Sequence, residues 1–371
     1  MPGRNGVGCV VLFSEGYAHR EAHERSARSA IAARLANVLG YEFAGDYDPA
    51  LHATRQPYFV PDDTLLATTA ARLGIRGDED LFGGVVPYRF VATKAITHPA
   101  VGSAATVPDG WSHGLGERLA NATLRGFSAF TLGDARLAAA RLFDAGRVRI
   151  KPAEISGGGG QFVVASPVEA ERALMRIDAS AVREHGLVVE QNLEDATTHS
   201  VGQLRIADLL ISYHGIQRAT RNHRGHEVYG GSDLVIVRGA FDRLLGLDVH
   251  RDVRTVIAKA IAYDAAIARE FPSFFASRRN YDVACGRDRD GEFHCGVLEQ
   301  SWRFGGASAA EIAALEAFRA NPNLAVVRAA THEVYSDDAP PPHARVHFRG
   351  DDASVGFMTK YTTIEHDGRP A

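Results

Sequence analysis

The sequence predicts an α/β (α+β) protein built from several parts, and three stretches predict it. Near the N-terminus, apolar and amphipathic segments follow one another as strand, helix, strand. In the middle, VRIKPAEISGGGGQFVV reads as a strand ending in Lys151, a polar turn, four contiguous glycines and a second strand. Late in the chain, NYDVACGRDRDGEFHCGVLE reads as a hairpin, because Asp290-Gly291 lies between alternating segments.

The 371 residues are enough for two or three domains with a core. A hydrophobic fraction of 45% and a charged fraction of 23% place the chain among ordinary globular proteins. A net charge of −4 argues against an extended nucleic-acid surface. Cys9, Cys285 and Cys295 form no metal-type pair and fit a reducing compartment. No apolar run approaches membrane-span length, and the first residues are too poor in apolar side chains for a signal peptide. A cytoplasmic protein is the expectation.

In chain order, residues 7–13 read as a buried strand. A helix over 18–39 follows, with Ala27, Ile31, Leu35, Val38 and Leu39 on one face, capped by Ser14-Glu15-Gly16 and stopped by Gly40. His19 and His23 are four apart, but Arg20 stands where a zinc protease needs glutamate, so a surface helix is the better reading. Residues 58–60 read as a strand, 63–73 as a helix and 81–86 as a loop or short strand. YRFVATKAIT sets Lys94 in an otherwise largely apolar stretch. A helix over 132–145 feeds the strand of Lys151. Beyond the glycines come a helix over 167–178, an extended stretch over 187–193, and strands over 200–204 and 209–218. A polar loop over 222–231, a long helix over 253–271 and a helix over 309–319 capped by Ser308 follow. Pro340 to Pro342 mark a linker, and 345–348 and 354–363 read as strands.

The glycine run lacks Cβ atoms, so it tolerates positive φ and close approach to a ligand. Its N–H groups and the Lys151 ammonium can line an anion site. It is no P-loop, because Gln161 follows the last glycine, and no dinucleotide fingerprint, because the glycines lead into a strand. A plain flexible loop beside a solvated lysine is the alternative.

A type I′ turn at Asp290-Gly291 pairs Arg289 with Glu292. Counting outward sets Asp282 opposite Glu299 and Asn280 opposite Ser301, all on one face. Like charges in that position destabilise a sheet, and a divalent cation between them removes the conflict. Oxygen ligands on a hairpin suit Mg²⁺; two solvated carboxylates are the alternative. The same count puts Cys285 and Cys295 on opposite faces, with no disulfide. Arg303, in SWRFGGAS, offers a planar clamp for phosphate or carboxylate, while Trp302 and Phe304 read as packing.

In order and spacing, Lys94, Lys151, the glycines, VVEQNL and the Asp282…Glu299-x-Ser301 hairpin resemble the ATP-grasp superfamily. KPAEISGGGGQ and GVLEQSWRFGGAS resemble its DUF3182 family, over residues 6–321. The resemblance implies an ATP-grasp fold. An N-terminal α/β pre-grasp domain (1–92) would precede two α+β subdomains clamping ATP, the small one with the lid (93–186) and the large one with the hairpin (187–321). A C-terminal extension (322–371) completes the chain. It also implies ATP and Mg²⁺ as cofactors. Lys94 and Lys151 would meet the phosphates under a lid of Gly157, Gly158, Gly159 and Gly160. Glu190, Gln191 and Leu193 would lie at adenine, with Glu194 or Thr198 at ribose. Asp282, Glu299 and Ser301 would hold the metal, and Arg303 would join Lys151 in catalysis. Ser301 departs from the usual E-x-N pattern. His199, His214, Arg218 and Ser232 are candidates for substrate contact.

The function so implied is a carboxylate–amine ligase working through an acyl phosphate. A small-molecule kinase and a non-catalytic ATP-binding module are the alternatives. The partners expected are small-molecule carboxylate and amine substrates, with no nucleic acid or membrane and with a homodimer left open.

Overall fold

The N-terminal strand Cys9–Phe13 lies between Glu42–Asp46 and Pro57–Pro61 in a parallel sheet. Its run is continuously apolar because both faces are covered. Val10 and Leu12 pack under the helix Ala22–Leu39, while Cys9 and Val11 pack against Phe59 and Leu65. The computed structural model describes residues 8–15, 22–52, 54–155 and 159–365. Gly157, Gly158, His19 and the proposed cap at Gly16 lie outside the described residues. The helix expected over 63–73 shortens to Ala67–Leu73, since Leu65–Leu66 pairs in parallel with Gly84–Val86.

A small sheet runs in the order Gly126–Ala129, Leu187–Gln191, Val148–Pro152, Phe162–Val164. Leu187–Gln191 is buried throughout and packs beneath the helix Leu132–Leu142. The border expected at 186/187 therefore runs through this sheet, whose strands lie on both sides of it. The helix expected over 167–178 ends at Leu174, as Pro167–Leu174, and a second helix that the sequence reading does not include, Ala179–His185, follows it. Asp178 caps the second by accepting from the Ser180 N–H at 3.0 Å.

The large sheet is antiparallel and has eight strands. In spatial order they are Phe293–Ser301, Arg278–Arg287, Glu194–Ile206, Leu209–Arg221, Glu227–Arg238, Val326–Val334, Gly356–Glu365 and Arg345–Asp352. The last three strands come from the residues expected to form an extension. The loop expected over 222–231 is only a turn, for Tyr229 through Ser232 lie within the strand Glu227–Arg238. The helix Arg251–Glu270 packs Val256, Ile257, Ala260 and Tyr263 on one face of this sheet. The helix Ser308–Ala320 packs on the other, against Ala22–Leu39. Ser308 is the first residue of its helix and not its cap; its Oγ accepts from the Gly305 N–H at 3.0 Å. Among the described residues no helix is long and apolar enough to cross a membrane.

Candidate active site

On the hairpin of Arg278–Arg287 and Phe293–Ser301, two departures from the counted register cancel. The turn is not type I′. Asp288 N–H donates to the Glu292 carbonyl at 3.0 Å, and Gly291 N–H, at φ +82°, donates to the Asp288 carbonyl at 3.0 Å. That is a three-residue loop with glycine in the left-handed region. It shifts the pairs nearest the turn by one residue, to Arg287 with Phe293 and Cys285 with Cys295. A bulge at Leu298 then restores the count, so Asp282 faces Glu299 and Asn280 faces Ser301. The cysteines, expected on opposite faces, are directly paired with Sγ atoms 2.7 Å apart.

Ser200, Asp282 and Glu299 thus form one row across three strands. Asn280 Nδ2 donates to Asp282 Oδ1 at 2.9 Å, and Ser200 Oγ donates to the same oxygen at 3.4 Å. Gln217 Nε2 in turn donates to Ser200 Oγ at 2.9 Å. Burial and the Glu299 charge push the Asp282 pKa up to about 6, against the hydrogen bonds of Gln217 and Asn280. Burial also opposes the charge on Glu299, yet Lys94, with Lys151 and Arg303 behind it, holds that carboxyl below its usual range.

A buried ion pair holds the segment that follows. Arg278 Nε and Nη2 each donate to Glu311 at 2.8 Å, in the two-pronged geometry open to a guanidinium. Arg278 Nη1 donates to the carbonyls of Ser301, at 3.3 Å, and Arg303, at 2.5 Å. The Arg303 side chain is left at the cavity, 3.5 Å from Asp63.

Lys94 begins a short 3₁₀ turn, Lys94–Thr97, whose cap Thr93 accepts from the Ala95 N–H at 3.2 Å. From the far side, Gln300 Nε2 donates to the carbonyls of Val91, at 3.0 Å, and Thr93, at 2.7 Å. The turn is thereby tied to the hairpin, and Lys94 Nζ reaches Glu299 Oε2 at 2.8 Å and the Ile155 carbonyl at 2.8 Å. Lys151 pairs instead with Glu190, which His98 Nε2 also meets at 3.1 Å. All three side chains are buried. Burial alone would raise the Glu190 pKa, but Lys151 and His98 bring it down to about 2.

One cavity of about 930 Å³ joins these groups. Lys94, Lys151, Glu190, Gln191, Leu193, Asp282, Glu299, Ser301 and Arg303 all line it. So do Arg218 and Ser232, and Thr198 of the two ribose candidates. Glu194 is exposed and off the lining, as are Gly159 and Gly160. His199 and His214 sit on the opposite face of the sheet, one residue out of phase with Ser200 and Gly215, and neither lines the cavity. Burial lowers the pKa of both rings, that of His214 to about 4.

Several residues escape a reading of the sequence. Arg149 donates to Gln161 Oε1 at 3.0 Å and to Asn192 Oδ1 at 2.8 Å, joining the residue after the glycine run to the one after the strand Leu187–Gln191. Its signal is its place two residues before Lys151, on the same strand face. His332, Lys360 and Tyr361, from the C-terminal strands, line the far end of the cavity. No local motif marks them.

The DUF3182 family profile, described as "Protein of unknown function (DUF3182)", matches residues 11–362. The chain belongs to the DUF3182 family. The match runs past residue 321, so the C-terminal strands of this DUF3182 chain are part of what the family shares. No curated protein sequence matches it. Its fold is that of ATP-grasp proteins across nearly its full length. The biotin carboxylase domain of the Hydrogenobacter thermophilus 2-oxoglutarate carboxylase, solved with MgADP, ADP and bicarbonate, superposes with TM-score 0.54 at 12% identity. That alignment covers 95% of this chain and 85% of the other. Phosphoribosylamine–glycine ligase from Thermotoga maritima gives 0.53 at 14% identity, over 96% and 92%. Biotin carboxylase from Campylobacter jejuni, in a β-γ-ATP complex, gives 0.52 at 11% identity, over 96% and 87%. At these identities the likeness concerns the fold of this DUF3182 protein.

Proposed function

We propose that this protein is an ATP- and Mg²⁺-dependent ligase that joins a carboxylate to an amine or similar nucleophile through an acyl phosphate. The observation that carries the reading is the row of Asp282 and Glu299 in one cavity with Lys94, Lys151 and Arg303, on an ATP-grasp fold. The donor set fits the ion. Two carboxylates forced together, one with a raised pKa, are what a divalent cation relieves. Among the described residues no three His, Cys, Asp or Glu converge. Mg²⁺ asks for no more than one or two carboxylates when phosphates complete its shell.

In this reading Asp282 and Glu299 hold Mg²⁺, with Ser301 as a weak further ligand. Mg-ATP, when bound, supplies the phosphoryl group. Lys94 and Lys151 bind its phosphates, and the segment of Glu190, Gln191 and Leu193 borders the base. Thr198, not Glu194, is the better ribose candidate, because it lines the cavity. Arg303 orients the substrate carboxylate and balances charge as it develops. Arg218 and Ser232 line the route to the second substrate. His199 and His214 receive no role, given the face they occupy.

The test is ADP release from Mg-ATP with pools of carboxylates and amines. A ligase requires both co-substrates, and a kinase yields a stable phosphorylated product with one. A second reading, an ATP-binding module without turnover, is favoured by Ser301 standing where an amide ligand is usual. Tight nucleotide binding with no ADP above background, under any pairing, would leave only that one.

A further inference from the structure

Cys285 and Cys295 face each other directly across the antiparallel hairpin. Residues in that relation have Cα atoms about 4.5–5.5 Å apart. A disulfide spans about 4.4–6.8 Å. The two sulfur atoms are already 2.7 Å apart, and both thiols are free. Cys9 lies in the N-terminal sheet, within a different apolar cluster.

We infer that Cys285 and Cys295 form a reversible oxidation site, which a low-molecular-weight disulfide such as oxidised glutathione converts into a cross-strand disulfide. The inference does not rest on the nucleotide-binding reading. Cys295 is the half-buried partner and Cys285 the buried one. The hydrogen bond from Cys285 lowers the Cys295 thiol, with Lys259 adding to the effect against burial. The same contact and burial push the Cys285 thiol up. Cys295 is therefore the first nucleophile. Its thiolate attacks one sulfur of the small disulfide, whose S–S bond breaks, and one small thiolate leaves and takes up a proton. Cys285 then loses its proton to water and attacks Cys295 Sγ, expelling the second small thiolate, which is protonated in turn. Two protein thiols lose two electrons and two protons; one small disulfide becomes two thiols.

The position gives the bond a consequence. Phe293–Ser301 is the edge strand of the large sheet, and its bulge at Leu298 separates the cysteine pair from Asp282 and Glu299. On the turn side of that bulge, a register slip of one residue would set Cys285 and Cys295 on opposite faces. A covalent tie there fixes the register of the turn-side half of the hairpin, residues 283–287 against 293–297.

The experiment treats the full chain with oxidised glutathione, alkylates it with iodoacetamide in denaturant, and maps its peptides by mass spectrometry. The expected result is a Cys285–Cys295 linked peptide, reversed by dithiothreitol, with Cys9 alkylated throughout. Oxidised wild type should melt about 2–4 °C above reduced wild type. Amide exchange over residues 293–301 should slow, and neither change should occur in Cys285→Ser or Cys295→Ser. Two results overturn the inference: both thiols still fully alkylated after treatment, or Cys295 halted at a stable glutathione adduct. If a serine variant does not fold, comparing the two wild-type forms decides the matter alone.

Discussion

Lys94 Nζ lies 2.8 Å from Glu299 Oε2, so a candidate phosphate ligand neutralises a candidate metal ligand. Lys151 and Glu190 repeat the arrangement nearby. In each pair the cation offsets the cost of keeping a carboxylate out of water, and Mg-ATP binding at this site would require Lys94 and Glu299 to exchange partners.

Lys94→Met should therefore destabilise the fold as well as weaken nucleotide binding. Glu299 would lose its partner while still facing Asp282. We expect a loss of about 2 kcal/mol in urea denaturation, less than the ~3–5 kcal/mol of a fully buried pair because Glu299 keeps some solvent contact. Adding Glu299→Gln should recover part of that loss, since the stranded charge goes with it. Strictly additive losses would show that the two side chains do not act as a pair.

Asp282 gives stability a pH dependence of definite sign. Folding raises its pKa from the ordinary carboxylate range to about 6, so the native chain holds a proton there that the unfolded chain has released. Its contribution is present in full below about pH 4 and is lost as pH rises through about 6. Asp282→Asn has no such proton to lose. Relative to wild type it should gain about 1–2 kcal/mol between pH 4.5 and pH 7.5, after allowance for screening at a partly open cavity. A difference that stays flat across that range, measured in the absence of divalent cations, would refute the assignment.

How much of this was legible follows from what each feature depends on. Alternation and turn residues are local, so the hairpin, the Lys151 strand and the helix Arg251–Glu270 could be read directly. Counting outward opposes Asp282 and Glu299 even though the turn is not type I′. The error of one residue at the turn was undone by the bulge at Leu298. A distant segment packs against that bulge. Val297 N–H donates to the Ala122 carbonyl at 2.8 Å, and residues 123 and 124 lie so close to Gly296 that a Cβ there would meet the Leu124 nitrogen at 2.4 Å. No local pattern records such a neighbour, so the facing of Cys285 and Cys295 was missed. The hold of Gln300 on the Lys94 turn and the C-terminal strands' share of the cavity are long-range in the same way. His199 failed for a simpler reason: one step along a strand reverses the face.

Glu190 should mark the acid limit of stability. Burial works against its charge, yet Lys151 and His98 bring its pKa down to about 2. Its contribution is present above about pH 4.5 and is lost as pH falls toward 2. Glu190→Gln leaves Lys151 buried without its counter-ion, which should cost about 3–5 kcal/mol at pH 7. His98→Asn removes one hydrogen bond and should cost about 1 kcal/mol. Urea midpoints at pH 7 and pH 3 would measure both. Equal losses in the two variants, or a Glu190→Gln loss unchanged at pH 3, would contradict the charge-pair account.

Ser301→Asn tests whether the metal side of the cavity is incomplete or merely different. The Ser301 carbonyl is fixed by Arg278 Nη1, so the exchange alters the side chain while the backbone stays held. Gly305 leaves room beside it; a Cβ at that position would lie 3.8 Å from Ser301 Oγ. An amide oxygen is a better Mg²⁺ ligand than a serine hydroxyl, and it would meet the ion on the same face as Asp282 and Glu299. The Mg²⁺ concentration needed for half-maximal ATP binding, followed by calorimetry, should fall by up to about tenfold, the lower end of what even an outer-shell partner contributes to metal affinity. Ser301→Ala should leave it nearly unchanged, because the hydroxyl contributes little. If asparagine brings no gain while Asp282→Asn still abolishes the Mg²⁺ dependence, the carboxylates hold the ion without help from this position. If neither change matters, the metal is bound elsewhere and the proposed site fails.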